Sequence, residues 1–186
     1  MQTQDAILNY AEKACRSRGF DAFSFADAAD HVGIRKASVH HHFPTKADLA
    51  VSMIDRYCAQ LDASICEIEE RRPRAAAQLR DWVKLYRTAL GAGDSLCLCV
   101  AMSAHRESLP REAIERVNAF NRMSIDFLAR LFERGKKDRS IRNVGWPKDE
   151  AASALALVEG AQLIARAARR PALFDNALRT LIQRAV

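Results

Sequence analysis

V-G-I-R-K-A-S-V-H-H-H-F-P-T-K, the stretch from Val32 to Lys46, decides the fold of this 186-residue chain. A glycine turn is followed by a short segment that opens with small and cationic residues, the order needed by a helix laid into the major groove of duplex DNA. Just upstream, S-F-A-D-A-A-D-H-V offers Ser24 or Asp21 as an N-cap and spaces Phe25, Ala28, Ala29 and Val32 along one buried helix face. Gly33 makes the turn. Ile34 is predicted to be buried between the two helices, and Val39 and Phe43, four residues apart, to face the same core. The remaining face of the second helix carries Lys36, Ala37, Ser38, His40, His41 and His42.

Charge is distributed to match. Between His31 and Ala47 there are three cations, Arg35, Lys36 and Lys46, and no Asp or Glu, although the first 48 residues together balance six Lys or Arg against six Asp or Glu. Small Ala37 and Ser38 let the backbone approach a duplex, and Lys36 can donate to a guanine edge. His40, His42, Thr45 and Lys46 can donate to phosphates. Arg35 and His41 complete the expected DNA-facing set. The three adjacent histidines lie about 100° apart on a helix and cannot converge on one metal ion while it is wound, so no metal site and no cofactor are expected.

From about Asp5 to Leu49, with R-G-F at Arg18 to Phe20 and G-I-R-K-A-S-V-H-H-H-F-P-T-K-A-D-L after the first helices, the chain resembles the DNA-binding domain of the TetR family of transcriptional repressors. That resemblance implies that Lys36, Ala37, Ser38 and His40 face bases or backbone. It also implies that Ser24 caps the second helix near a phosphate and that Lys46 anchors the fourth helix to the DNA backbone. The departures are His40 and His42, which keep a ring and a donor where the family usually shows tyrosine or another aromatic.

Composition agrees. With 49% hydrophobic residues, seven Gly and five Pro, the chain suits a mostly helical protein, and its periodicities predict an all-α fold of about nine helices; its net charge of +6 favours an anionic partner. No apolar run approaches about 20 residues, and Met1 to Asp5 lacks the basic start and apolar run of a signal peptide, so a cytoplasmic chain with no membrane partner is expected. The expected domains are a three-helix helix-turn-helix head over 1–48 and, as the TetR resemblance implies, a helical effector-binding and dimerisation body over 49–186. A first helix is predicted from near Thr3 to Ser17 and a long linking helix from Lys46 to Arg72, ended by Pro73. Further helices are predicted over Ala76 to Leu90, Leu96 to His105 with Asp94 or Ser95 as its cap, Pro110 to near Gly135, Lys148 to about Ala168, and onward from Pro171. In the last two, Ala151, Ala154, Ala161, Ala165, Ala168 and Gly160 allow close helix approach and Leu173, Leu178, Leu181 and Ile182 form a stripe, so a homodimer through these helices is expected; the alternative is that both helices bury these faces within their own subunit.

The body holds the effector candidates. S-L-C-L-C-V-A-M-S-A-H, Ser95 to His105, carries two of the five cysteines. Cys97 and Cys99 point about 200° apart on a helix and can neither share a metal nor bond each other. A cap at Asp94 or Ser95 would put Cys97 in a first helical turn, where free backbone donors raise the thiolate fraction. The alternative is that both are small core residues. The stretch, followed by Leu109 and Pro110, resembles a TetR branch in which a cysteine at the position of Cys97 responds to electrophiles or oxidants, with Arg166 standing where that branch has a lysine. Trp82, Tyr86, Met102, His105, Phe120, Met123, Phe127, Glu159, Gln162 and Arg166 are the other pocket candidates.

Taken together, the expectation is a sequence-specific regulator that represses by occupying a palindromic duplex operator and is released by a small-molecule effector or by cysteine modification. The alternative is a basic helical module for nucleic acid or protein without effector control. No Gly-rich phosphate loop, nucleophile elbow or helical H-E-x-x-H pair is present, so an enzyme is not expected.

Overall fold

In the computed structural model, which describes residues 2–186, the regular structure is helical apart from one isolated antiparallel bridge between Ile141 and Ala185. Among the described residues nine α-helices follow in order: α1 (Gln2–Arg18), α2 (Phe25–Val32), α3 (Lys36–His42), α4 (Lys46–Arg71), α5 (Ala75–Leu90), α6 (Leu98–Ser103), α7 (Arg111–Lys137), α8 (Pro147–Ala167) and α9 (Ala172–Gln183). Short 3₁₀ turns occupy Phe20–Ala22 and Arg106–Ser108. No helix among them is long and apolar enough to cross a membrane.

Two compact units divide the chain. One holds the chain up to Gln60 with Leu98–Ala119; the other holds Leu61–Cys97 and Phe120–Val186. The division differs from a cut at 48, because α4 and α7 each run from one unit into the other and α6 joins the N-terminal helices. Met1, the first residue of the expected 1–48 head, lies outside the described residues.

In the first unit, Ile7, Leu8, Ala11, Ala14 and Cys15 of α1 meet Phe25, Ala28 and Ala29 of α2 and Val39 of α3 in one core. Ile34 and Val32 are only partly buried. Arg56 and Arg16 both pair with Glu12, each at 3.1 Å, and Arg116 pairs with Asp55 at 2.8 Å.

In the second unit, α5 begins without a cap of its own; its first donors are met by the turn after α7, with Ala75 N–H on Asp138 Oδ2 and Ala76 N–H on Ser140 Oγ. Burial alone would raise the Asp138 carboxyl, but the Ser140 and Ala75 hydrogen bonds outweigh it and hold it below the usual carboxylate range. Arg184 grips Glu150 through two nitrogens at 2.8 and 2.9 Å, tying the chain end to the start of α8.

One expectation is overturned here. Ala151, Ala154, Ala161 and Ala165 are not a surface for a second subunit: they are buried where α8 packs on α9 and α5 of the same chain. Their small side chains do permit close helix approach, but within the protomer. Ala168 is exposed just past the helix end, and in α9 Phe174, Leu178 and Leu181 are likewise buried, with Leu173 and Ile182 half-buried. The outward face of α8 instead carries Leu157, Leu163 and Ile164, the last 61% exposed.

Candidate nucleic-acid interface

The turn between α2 and α3 is closed by local chemistry. Ser24 caps α2 in a reciprocal box: its Oγ accepts from Asp27 N–H at 3.2 Å while Asp27 Oδ2 accepts from Ser24 N–H at 2.7 Å. Those bonds hold the Asp27 carboxyl below its ordinary range. At the other end Gly33 sits at φ 76° and ψ 35°, with its own N–H and that of Ile34 both donating to Ala29 O. A Cβ at Gly33 would touch nothing within 4 Å, so the backbone angle and not space requires glycine.

Helix α3 then presents one side outward. Val39 and the following Phe43 are buried, Arg35, Lys36, Ala37, His40 and His41 are exposed, and Ser38 and His42 are half-buried. The three histidines do not converge: the His40 ring rests edge-on against Phe25 at 4.8 Å, with its Nδ1 3.3 Å from Pro44 O, while His41 and His42 meet edge to face.

Sequence reading missed a second capping box. Thr45 N–H and Thr45 Oγ both donate to Asp48 Oδ2, at 2.9 and 2.8 Å, and Asp48 N–H returns to Thr45 Oγ. The T-x-x-D spacing repeats S-x-x-D at Ser24 and could have revealed it. The Thr45 hydroxyl hydrogen is therefore already committed to a carboxylate. Lys46 is also engaged: its Nζ lies 4.5 Å from the Phe20 ring centre and 4.7 Å from that of Phe23. Burial there lowers its pKa, partly offset by Asp21.

The effector candidates separate by unit. Cys99, Met102 and His105 belong to the unit with α1; Cys97, Phe120, Met123, Phe127, Gln162 and Arg166 belong to the other. Helix α6 starts at Leu98, later than expected, and ends at Ser103, so Cys97 precedes it instead of lying in its first turn. Gln162 accounts for the late start: buried on α8, it accepts the Cys97 N–H at 2.9 Å and donates to Tyr86 O at 2.7 Å, engaging the Cys97 donor with a side chain. Cys97, Cys99, Met102, Phe120 and Phe127 are all buried, Met123 and Arg166 half-buried. Glu159, one turn before Gln162, has its carboxyl pushed up to about 7 by burial and by the neighbouring Cys97. The indole N–H of Trp82 and the hydroxyl of Ser124 are buried without a hydrogen-bond partner. His105, expected in a pocket, lies against Gly19 with Nδ1 3.8 Å from Asp21 Oδ2. Among the described residues no group of three His, Cys, Asp or Glu is placed to hold a metal.

A capped helix, a left-handed glycine turn and an acid-free outward helix face form a helix-turn-helix. The pattern of the bacterial regulatory proteins of the tetR family matches residues 7–53. A transcriptional regulator of the TetR family from Agrobacterium tumefaciens is 31% identical, with a TM-score of 0.94 over 100% of this chain and 98% of that one. The chain belongs to the TetR family. This TetR-family regulator is also 25% identical over 181 residues, 95% of its own length and 90% of the relative's, to the HTH-type transcriptional repressor NemR of Escherichia coli strain K12. The HTH-type transcriptional regulator CymR of Pseudomonas putida is 24% identical over 152 residues, covering 78% of this chain and 73% of that one. The reduced form of E. coli NemR shares the fold, with a TM-score of 0.84 at 23% identity over 99% and 98% of the two chains.

Proposed function

We propose that this TetR-family chain is a cytoplasmic repressor that binds a palindromic operator as a homodimer and leaves it when an effector acts on the body. The observation that carries this reading is the outward face of α3, where Lys36, Ala37 and half-buried Ser38 stand on a helix that carries no acid and is anchored by Val39. Lys36 reads a base edge, Arg35, His41 and His42 approach the backbone, and Ser24, His40, Thr45 and Lys46 act mainly by holding α2, α3 and α4 in register. Dimerisation uses the last two helices, through Leu157, Leu163 and Ile164 of α8 instead of the buried alanines. Two heads then meet successive major grooves about 34–36 Å apart.

Release follows from any ligand with higher affinity for a dimer arrangement that breaks this spacing. The cluster of Cys97, Glu159, Gln162, Trp82 and Tyr86 is the effector site, with Phe120, Met123, Phe127 and Arg166 of the same unit as further candidates. Similarity to the repressor NemR supports repression, and covalent modification of Cys97 is one route of release. Cys97 is buried whereas Cys66 is exposed, so Cys66 reacts first with a bulky electrophile.

Binding to the chain's own promoter, titrated with salt, tests the reading. Preference for that promoter over random duplex should persist as salt rises, and Lys36→Ala should erase the preference while weakening random binding little. Loss of all binding in parallel assigns the chain to merely basic proteins. In a Cys66→Ser background, N-ethylmaleimide should release the operator and Cys97→Ser should prevent it; release that persists in Cys97→Ser discards the thiol route.

A further inference from the structure

The groove between α5 and α9 combines two features, an apolar floor and a cationic rim. Its floor is apolar, with Val83, Phe174 and Leu178 buried beneath an open space of about 430 Å³. That volume falls within the range of about 300–1,000 Å³ usual for small-molecule sites. Its rim is cationic, with Arg80, Lys84 and Arg87 along one face of α5 and Arg179 from α9. Asp175 is the one carboxylate among the lining residues, 3.0 Å from Arg87 Nε. Arg80 donates to the Ala185 carbonyl and Arg179 to the Asn176 amide oxygen, acceptors that carry no charge. Four cations against one acid leave three positive charges beside apolar surface.

We infer that the α5–α9 groove binds a small anionic amphiphile, its apolar body on Phe174 and Leu178 and its acidic head held by Lys84 and Arg179. A polyanion such as nucleic acid would leave the apolar floor without a partner, and a neutral lipid would leave the cations desolvated and unpaired. A ligand with both parts satisfies both surfaces. This site is separate from the effector cluster around Cys97 and Gln162, whose residues do not line it.

Fatty carboxylates of graded length probe the assignment. Octanoate, decanoate and octanol are titrated into the full chain by calorimetry, alongside Lys84→Glu/Arg179→Glu, a double variant of two exposed side chains whose fold is checked by its melting curve. Each further buried methylene should raise affinity about fourfold, so decanoate should bind about fifteen times tighter than octanoate. Octanoate should bind at least about tenfold tighter than octanol, and the double variant should erase that difference while leaving octanol unchanged. Octanoate affinity that survives the double substitution, or equal affinity for acid and alcohol, overturns the proposal. A change in oligomeric state in the variant without a change in octanoate binding overturns it too, and assigns the groove to a contact between copies of the chain.

Discussion

Gly19→Ala probes how tightly the end of α6 is fitted to the end of α1. Gly19 donates its N–H to Cys15 O at 2.8 Å and then turns the chain at φ 97° and ψ 165°. That region is reached almost only by glycine, and another residue held there costs about 1–3 kcal/mol. Space is missing as well: a Cβ would stand 2.7 Å from His105 Cε1 and closer still to Nε2. The ring must therefore move, giving up its packing and its approach to Asp21; because it is 39% exposed, the overpacking penalty is about 1–2 kcal/mol. The substitution should cost about 2–5 kcal/mol, and in a chain of this size each kcal/mol lowers Tm by about 2–4 °C. Urea unfolding of four proteins, wild type, Gly19→Ala, His105→Ala and the double variant, separates the two parts. With His105 removed only the backbone part should remain, giving a coupling of about 1–2 kcal/mol between the sites. Equal loss from Gly19→Ala in both backgrounds would refute the reasoning that the imidazole occupies this space.

Ser24→Ala and Thr45→Ala each remove the acceptor of a capping box and should each cost about 1 kcal/mol in denaturant unfolding; the two should add, since they cap different helices. Glu159 should make the body less stable as pH rises. Its folded pKa of about 7 lies above its ordinary 4.5, so its contribution is complete below about pH 4.5 and is lost as pH climbs through 7. Glu159→Gln should flatten that slope and gain on the order of 2–3 kcal/mol at pH 8, which unfolding curves across pH 4–8 would show. Leu157→Asp with Ile164→Asp should leave the monomer fold intact, since both side chains are exposed, while sedimentation shows loss of the dimer and operator affinity falls by orders of magnitude. A dimer that survives both acids removes this face from the interface.

The helix-turn-helix was legible because its signals are local. Ser24 with Asp27, Gly33 at a positive φ and the four-residue step from Val39 to Phe43 are set by backbone donors, glycine's steric freedom and helical periodicity within twenty residues of chain. Helix boundaries elsewhere followed from the same period-3.6 pattern and from Pro73, Pro147 and Pro171. The Thr45 box was equally local and simply went unread. Where sequence reading failed, the deciding contact spanned the chain. The late start of α6 depends on Gln162, 65 residues away, and the capping of α5 depends on Asp138 and Ser140.

Sequence alone determined that this chain is helical, where most of its helices lie, and that an acid-free cationic segment follows a glycine turn, because those properties come from periodicity, caps and residue chemistry close along the chain. Only the tertiary structure decided which apolar faces are used inside the protomer. The alanines of α8 and the leucines of α9 read the same whether they meet their own chain or another, since burial of a nonpolar side chain is non-directional and says nothing of whose surface covers it. Likewise the cations of α5 and α9 gained meaning only when the fold brought Lys84 and Arg179 to one groove.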